Sequence, residues 1–235
     1  KWAKIFEDVE FVHALADSVQ QYMLNTRWYA AKGQETKNFK ITFHTPLGTE
    51  TKIMAYAIVM EVNFAAGFTE YYFMTVGFAE ADNIDAKGIV VEARIGGKQG
   101  KVIDAVYAEH FRKFLFLSMT KQRKFESDGR TLLFQKGKVL RSTTEYENSR
   151  VLGFDQSNTS LEFNGKYYLK IYRRLFQDAN PDLELTKFLS EEGSFQNSPK
   201  YGGSVSWVKS QFATLSIGII QEKVPNIGEA WNHTL

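Results

Sequence analysis

The segment QSNTSLEFNGKYYLKIYRR, residues 156–174, decides the fold. It contains two short apolar runs joined at Asn164-Gly165, a dipeptide typical of the tight turn between two antiparallel strands. On the second strand, Leu169 and Ile171 would point into the core, while Lys170 would lie on the opposite face. An ammonium at the centre of a sheet costs several kcal/mol to desolvate unless a carboxylate or a phosphate compensates it, so Lys170 requires a partner.

The sequence after this hairpin begins a helix. Asn180 can cap it, Pro181 suits its first position, and Glu184 lies in its first turn. We expect Glu184 to be the partner of Lys170, and the polar residues 156–160 to offer backbone N–H groups and hydroxyls to phosphate oxygens. Taken singly, each feature has a simpler explanation, since a lysine at a sheet edge also protects against aggregation. Their order along the chain indicates a phosphate-binding lobe.

Outside this segment, helical and strand patterns alternate. Residues 5–24 place apolar side chains at helical spacing, and short strands with turn signals between them follow from residue 39 to 94. A second helical pattern spans 104–121, and further short strands flank the helix that runs from about residue 180 to 190. The order of these elements predicts an α+β fold with antiparallel sheets.

Composition supports two units and excludes several classes of protein. Residues 1–95 carry nine Lys/Arg against twelve Asp/Glu and residues 96–235 carry twenty against fifteen, so we predict units with these bounds. The net charge of +2 does not indicate a nucleic-acid partner, and the absence of cysteine excludes disulfides and thiolate metal sites. No apolar run approaches the roughly 18 residues that a membrane span needs. We expect a cytoplasmic protein.

Three segments resemble the bacterial maltokinases. VLGFDQSNTSLEFNGKYYLKIYRRLFQDANPDLELTKFL, residues 151–189, is similar to that family in the order of its strand, polar loop, lysine strand ending in two arginines, and NPDLE. RWYAAKGQ, residues 27–34, resembles the signature of the family's N-terminal cap. IIQEKVPNIGEAWNHTL, residues 219–235, resembles the segment that enters the hinge between the lobes.

This resemblance implies a fold like that of aminoglycoside phosphotransferases and other eukaryotic-like kinases. It divides the chain into a maltokinase-like cap, residues 1–95, and an ATP-binding N-lobe, residues 96–235, built as an antiparallel sheet with one C-type helix. It implies a transferase that uses ATP and Mg²⁺ to convert maltose to maltose 1-phosphate for α-glucan and trehalose metabolism, with trehalose synthase as a candidate partner.

The resemblance also assigns roles to individual residues. Lys170 would bind the ATP phosphates and Glu184 would hold Lys170. The phosphate loop would comprise Gln156, Ser157, Asn158, Thr159 and Ser160. The adenine hinge would comprise Gln221, Glu222, Lys223 and Val224.

The catalytic aspartate and the Mg²⁺-binding aspartate of such kinases are expected beyond Leu235, in a C-lobe that the sequence does not include. We therefore expect the chain to be a fragment with no catalytic residue and no metal ligand of its own. The fragment should be inactive alone and should bind ATP weakly if at all. Residues 156–160 also lack the glycine that lets a backbone approach phosphates closely.

Two alternatives stay open. The chain could be a non-catalytic docking or regulatory module associated with trehalose synthase. It could also be a small-ligand-binding β module without kinase ancestry, which separation of Lys170 from Glu184 would favour. The aromatic strand at 69–78 and Trp207 are interpreted as core, although aromatic rings could also form a platform for a carbohydrate.

Overall fold

The fold is described from a computed structural model for residues 1–49, 51–80, 84–153, 157–177, 180–193, 195–210 and 213–225. Within these residues the α-helices are α1 (Val9–Asn25), α2 (Glu109–Thr120) and α3 (Pro181–Glu191), and short 3₁₀ segments span Trp2–Glu7, Ala86–Gly88 and Ala105–Tyr107. The predicted helix at 5–24 is therefore interrupted at Asp8. This residue is the N-cap of α1, because its carboxylate accepts a hydrogen bond from the Phe11 N–H at 3.1 Å.

The first sheet is antiparallel and contains β1 (Thr36–Thr49), β2 (Lys52–Phe64), β3 (Thr69–Ala79), β4 (Ile89–Ile95) and β5 (Lys98–Asp104) in the order β1-β2-β3-β5-β4. A predicted boundary at residue 95 falls inside the β4–β5 hairpin, since Ile95 pairs with Lys98. The division into two units stays a prediction, and the first sheet itself extends to Asp104.

The second sheet is also antiparallel. Its strands are β6 (Lys124–Ser127), β7 (Arg130–Lys136), β8 (Ser149–Val151), β9 (Asn158–Phe163), β10 (Tyr167–Tyr172), β12 (Tyr201–Ser210) and β13 (Ala213–Glu222), in the order β6-β7-β12-β13-β10-β9-β8. The short strand β11 (Arg174–Leu175) follows β10 in the chain but pairs with β3 of the first sheet. The predicted hairpin at Asn164-Gly165 is confirmed, because both residues have the positive φ angles that its tight turn requires, +55° and +64°.

The two sheets share one apolar core. In β2, Ala55, Ala57 and Val59 face this shared core. Residues of α2 and of the apolar side of the second sheet form the rest of it. The residues of β2 that alternate with these three, such as Tyr56 and Ile58, pack instead in a second core beneath α1. Because it is covered on both faces, β2 is a nearly continuous apolar run, and the α+β prediction with antiparallel sheets is confirmed.

Among the described residues, no helix combines the length and the apolar character that crossing a bilayer would require.

Candidate functional site

Lys170 lies at the centre of the second sheet, as the sequence predicts. Its strand, β10, is flanked on both sides, and in the register of the sheet Lys170 is opposite Ser160 of β9 and Ile219 of β13. Leu169 and Ile171 point the other way and are buried in the shared core. The side chain of Lys170 keeps 29% of its surface exposed. The ammonium is thus held on the open face of the sheet, where a ligand can reach it.

The partner of Lys170 is Asp182, and the predicted pairing with Glu184 is wrong. The Lys170 Nζ atom lies 2.9 Å from Asp182 Oδ2, whereas Glu184 is exposed on α3. The reason is geometric: residues two apart on a helix differ by about 200° around its axis, so the two carboxylates cannot face the sheet together. Lys170 thus meets the first turn of the predicted helix through Asp182 and not through Glu184.

Local sequence positions Asp182. Asn180 caps α3, its side chain accepts a hydrogen bond from the Asp182 N–H at 3.0 Å, and Pro181 occupies the first turn. The Tyr172 hydroxyl also donates to Asp182 Oδ2, at 3.2 Å. Burial raises the pKa of Tyr172, and the neighbouring Asp182 charge raises it further, so this hydroxyl keeps its proton and remains a donor. One carboxylate oxygen is therefore held by two donors from the same strand.

The predicted phosphate loop is distributed differently in the structure. Gln156 lies outside the described residues, and Ser157 is exposed just before β9 begins at Asn158. Asn158, Thr159 and Ser160 are therefore strand residues and not loop residues. Because side chains alternate along a strand, Asn158 and Ser160 share the face of Lys170, whereas Thr159 points to the other side.

The predicted adenine hinge lies at the end of β13. Gln221 and Glu222 are still strand residues, and Lys223 and Val224 follow the strand. The N–H groups of Glu222 and Lys223 already donate to the carbonyls of Lys200 and Lys166, at 2.9 and 2.8 Å. A base bound here would therefore need other backbone groups, and the hinge stays a prediction.

The Lys223 side chain has a structural partner on the sheet. Its Nζ atom lies 2.8 Å from an Oε atom of Glu162 and 5.5 Å from the ring centroid of Tyr168. Burial alone would raise the pKa of the Glu162 carboxyl, but hydrogen bonds from Lys223 and Arg150 hold it below its ordinary value. This carboxylate is therefore ionised at the margin of the Lys170 face.

A buried ion pair lies behind the site, and sequence reasoning missed it. Arg173 and Asp104 are fully buried, with 2.6 Å between Nη2 and Oδ2. The Arg173 Nε–H also donates to Thr159 Oγ1 at 2.8 Å, and the guanidinium lies 5.0 Å from the ring centroid of Trp28. Arg173 thus connects β9, through Thr159, with the first sheet, through Asp104, and with Trp28 of the cap signature.

The next residue, Arg174, continues this arrangement. It forms an ion pair with Glu70 of the first sheet, which also accepts a hydrogen bond from the Tyr72 hydroxyl. Both arginines that end the lysine strand therefore bind carboxylates of the other sheet. The two adjacent arginines were a visible signal in the sequence, but nothing nearby in the sequence indicated Asp104 or Glu70 as partners.

A cavity of about 570 Å³ lies beside the end of α1, and its walls include Arg27, Trp28, Lys87, Gly153 and Asn158. Trp28 of the cap signature is buried against Arg173, which gives this residue a structural role. Over the part of the chain that the structure describes, no group of three or more histidine or carboxylate residues is arranged to hold a metal ion.

No protein-family model matches the sequence. Solved structures do share the fold. A structure of glucosamine kinase in complex with glucosamine, ADP and inorganic phosphate superposes over 91% of this chain with a TM-score of 0.52 and 11% sequence identity. Crystal form B of glucosamine kinase matches over 95% of this chain, with a TM-score of 0.50 and 10% identity. The chain spans 42% of the length of each of these proteins. The chain therefore shares the fold of part of these proteins.

Proposed function

We propose that this chain is the nucleotide-binding part of a sugar-kinase-like phosphotransferase, which transfers the γ-phosphate of ATP to a sugar hydroxyl. The observation that carries the proposal is the Lys170–Asp182 ion pair on the open face of the second sheet. The fold shared with glucosamine kinase, whose structure contains ADP, supports the same conclusion.

The chemistry of phosphoryl transfer fits this arrangement. The reaction depends mainly on positioning and on neutralising the charge of the phosphate oxygens. Lys170 is partly exposed and has one carboxylate partner, so its remaining N–H donors can bind phosphate while Asp182 fixes its position. Asn158 and Ser160 lie on the same face and add polar groups beside the ammonium. When bound, Mg²⁺ would neutralise charge on the phosphates, and its ligands are proposed to lie outside this chain.

Two acceptor sugars follow from different observations. The resemblance of residues 151–189 to maltokinases favours maltose, with maltose 1-phosphate as the product and trehalose synthase as a candidate partner. The structural neighbour solved with glucosamine favours an amino sugar instead. A longer protein that contains this chain should be assayed for ADP formation with maltose, glucosamine and glucose as separate acceptors. The sugar that gives the largest kcat/KM identifies the substrate class.

The nucleotide role of Lys170 can be tested on the 235-residue chain itself. Titration with a fluorescent ATP analogue should show weak binding that Lys170→Met weakens further, because the substitution removes the charge and keeps the length of the side chain. Lys166→Met is the matched control, since Lys166 is exposed at the turn of the same hairpin. Equal affinity of the Lys170→Met variant and the unmodified chain would refute the assignment.

The alternative function is a non-catalytic docking or regulatory module that retains the kinase-like scaffold. It predicts that the longer protein forms no ADP with any of the three sugars, even when the unmodified chain binds the nucleotide. Under the kinase proposal, ADP formation depends on the sugar in the longer protein and is absent from the 235-residue chain alone.

A further inference from the structure

A second cavity, of about 610 Å³, lies between the two sheets. Its walls include Phe43 of β1, Tyr71 of β3 and Trp207 of β12. Trp207 is buried in the core that the sheets share, so the cavity lies on the face of the second sheet opposite to Lys170. It is therefore separate from the nucleotide site proposed above.

Phe43, Tyr71 and Trp207 give part of this cavity an aromatic wall, next to polar and charged residues. The ring centroids of Phe43 and Trp207 are 6.4 Å apart, and Tyr71 packs against the same core. The guanidinium of Arg130 lies over the Phe43 ring at 3.6 Å from its centroid. Aromatic rings and a guanidinium thus meet at one cavity.

Charged groups of both signs reach the same cavity. Arg130 is half-buried and Lys209 is exposed at its margin. Glu61 lies 2.8 Å from the ammonium of Lys40. Burial acts to raise the pKa of the Glu61 carboxyl, but the hydrogen bonds from Lys40 and Asn63 hold it below its ordinary value, so Glu61 is an ionised acceptor. The cavity therefore offers strong donors and a strong acceptor around an apolar floor.

This combination selects one class of small molecule. A pyranose ring has apolar C–H faces that can lie on aromatic rings, and hydroxyls that both donate and accept hydrogen bonds. A purely apolar ligand would cover the Arg130 guanidinium and the Glu61 carboxylate without hydrogen-bonding to them, which is costly. An inorganic anion would be repelled by Glu61 and would not use the aromatic walls. The volume lies within the roughly 300–1,000 Å³ that is usual for small-molecule sites.

We propose that this cavity is a binding site for a short neutral oligosaccharide, in which a sugar ring lies on Tyr71 beside the stacked Phe43 and Arg130, while Arg130 and Glu61 bind the hydroxyls. The inference does not depend on phosphotransfer. In this proposal, residues of the first and the second sheet together form one carbohydrate site.

The test is titration of the 235-residue chain with maltotriose, followed by calorimetry and by tryptophan fluorescence. Saturable binding is expected. Arg130→Met should weaken it at least about tenfold, or about 1.4 kcal/mol, because the apolar stem over Phe43 is kept and the donors are lost. Arg123→Met is the matched control, since the Arg123 guanidinium is also near an aromatic ring, 5.6 Å from the Phe114 centroid, but does not line the cavity.

Further arms separate the sites and the ligand classes. Lys170→Met should leave maltotriose binding unchanged, and the exposed Lys209→Met provides a second cavity variant if Arg130→Met does not fold. Absence of saturable maltotriose binding would overturn the inference. So would a loss of binding caused by Lys170→Met with no effect of the cavity variants, because the sugar would then occupy the other face. Displacement of maltotriose by inorganic phosphate would also overturn it, since it would make the cavity an anion site.

Discussion

Replacing Asp104 with alanine should lower the free energy of unfolding by about 3–5 kcal/mol, because it leaves the Arg173 guanidinium buried without its counter-charge. Both side chains are fully buried, so water cannot replace the lost carboxylate. The Thr75 hydroxyl, which donates to the other Asp104 oxygen at 3.2 Å, loses its acceptor as well. With a urea m-value of about 2–3 kcal/mol/M, the midpoint of unfolding should move by about 1–2 M.

Urea unfolding followed by tryptophan fluorescence measures this change. Glu80→Ala is the matched control, because it breaks the exposed Lys98–Glu80 pair and should cost less than about 1 kcal/mol. The double variant Asp104→Leu with Arg173→Leu should be less destabilised than Asp104→Ala alone, since neither charge is then left unpaired. A loss below about 1 kcal/mol for Asp104→Ala, or effects of the two sites that simply add, would refute the reasoning.

Three further predictions concern other parts of the structure. Asp182→Asn should weaken binding of an ATP analogue more than Glu184→Gln, and the reverse order in the titration would restore Glu184 as the partner. Burial lowers the pKa of His44 below its ordinary 6.5, so the unfolded chain binds a proton more readily. Stability should therefore fall as pH drops through that value, and urea unfolding should show a smaller fall in His44→Gln. Gly218→Ala should destabilise the sheet by about 1–3 kcal/mol in the same assay, since its Cβ would lie 2.6 Å from the Lys170 carbonyl oxygen.

The part of the fold that could be predicted is the part with local causes. Asn164-Gly165 specifies its turn within two residues, and alternation along β10 places Leu169 and Lys170 on opposite faces. Asn180 and Pro181 likewise mark the start of α3. These signals depend on residues a few positions apart, so the sequence alone is enough to interpret them.

Predictions failed where the answer depended on the direction of a side chain. The sequence places two acidic residues, Asp182 and Glu184, in the first turn of α3, and only the rotation of the helix against the sheet decides which of them meets Lys170. The start of β9 at Asn158 was missed for a related reason, because a run of small polar residues is typical of a turn and here continues into a strand.

The Arg173 network depends on contacts that no local pattern contains. Asp104 is 69 residues away in the sequence, and it is the antiparallel pairing of β11 with β3 that brings Arg173 to the first sheet. The same guanidinium binds Thr159, the residue after Asn158 on β9. The first sheet therefore holds β9 in place from the face opposite to Lys170. A change in how the two sheets pack should therefore move Thr159. Its neighbours on β9, Asn158 and Ser160, should move with it, and both share the face of Lys170.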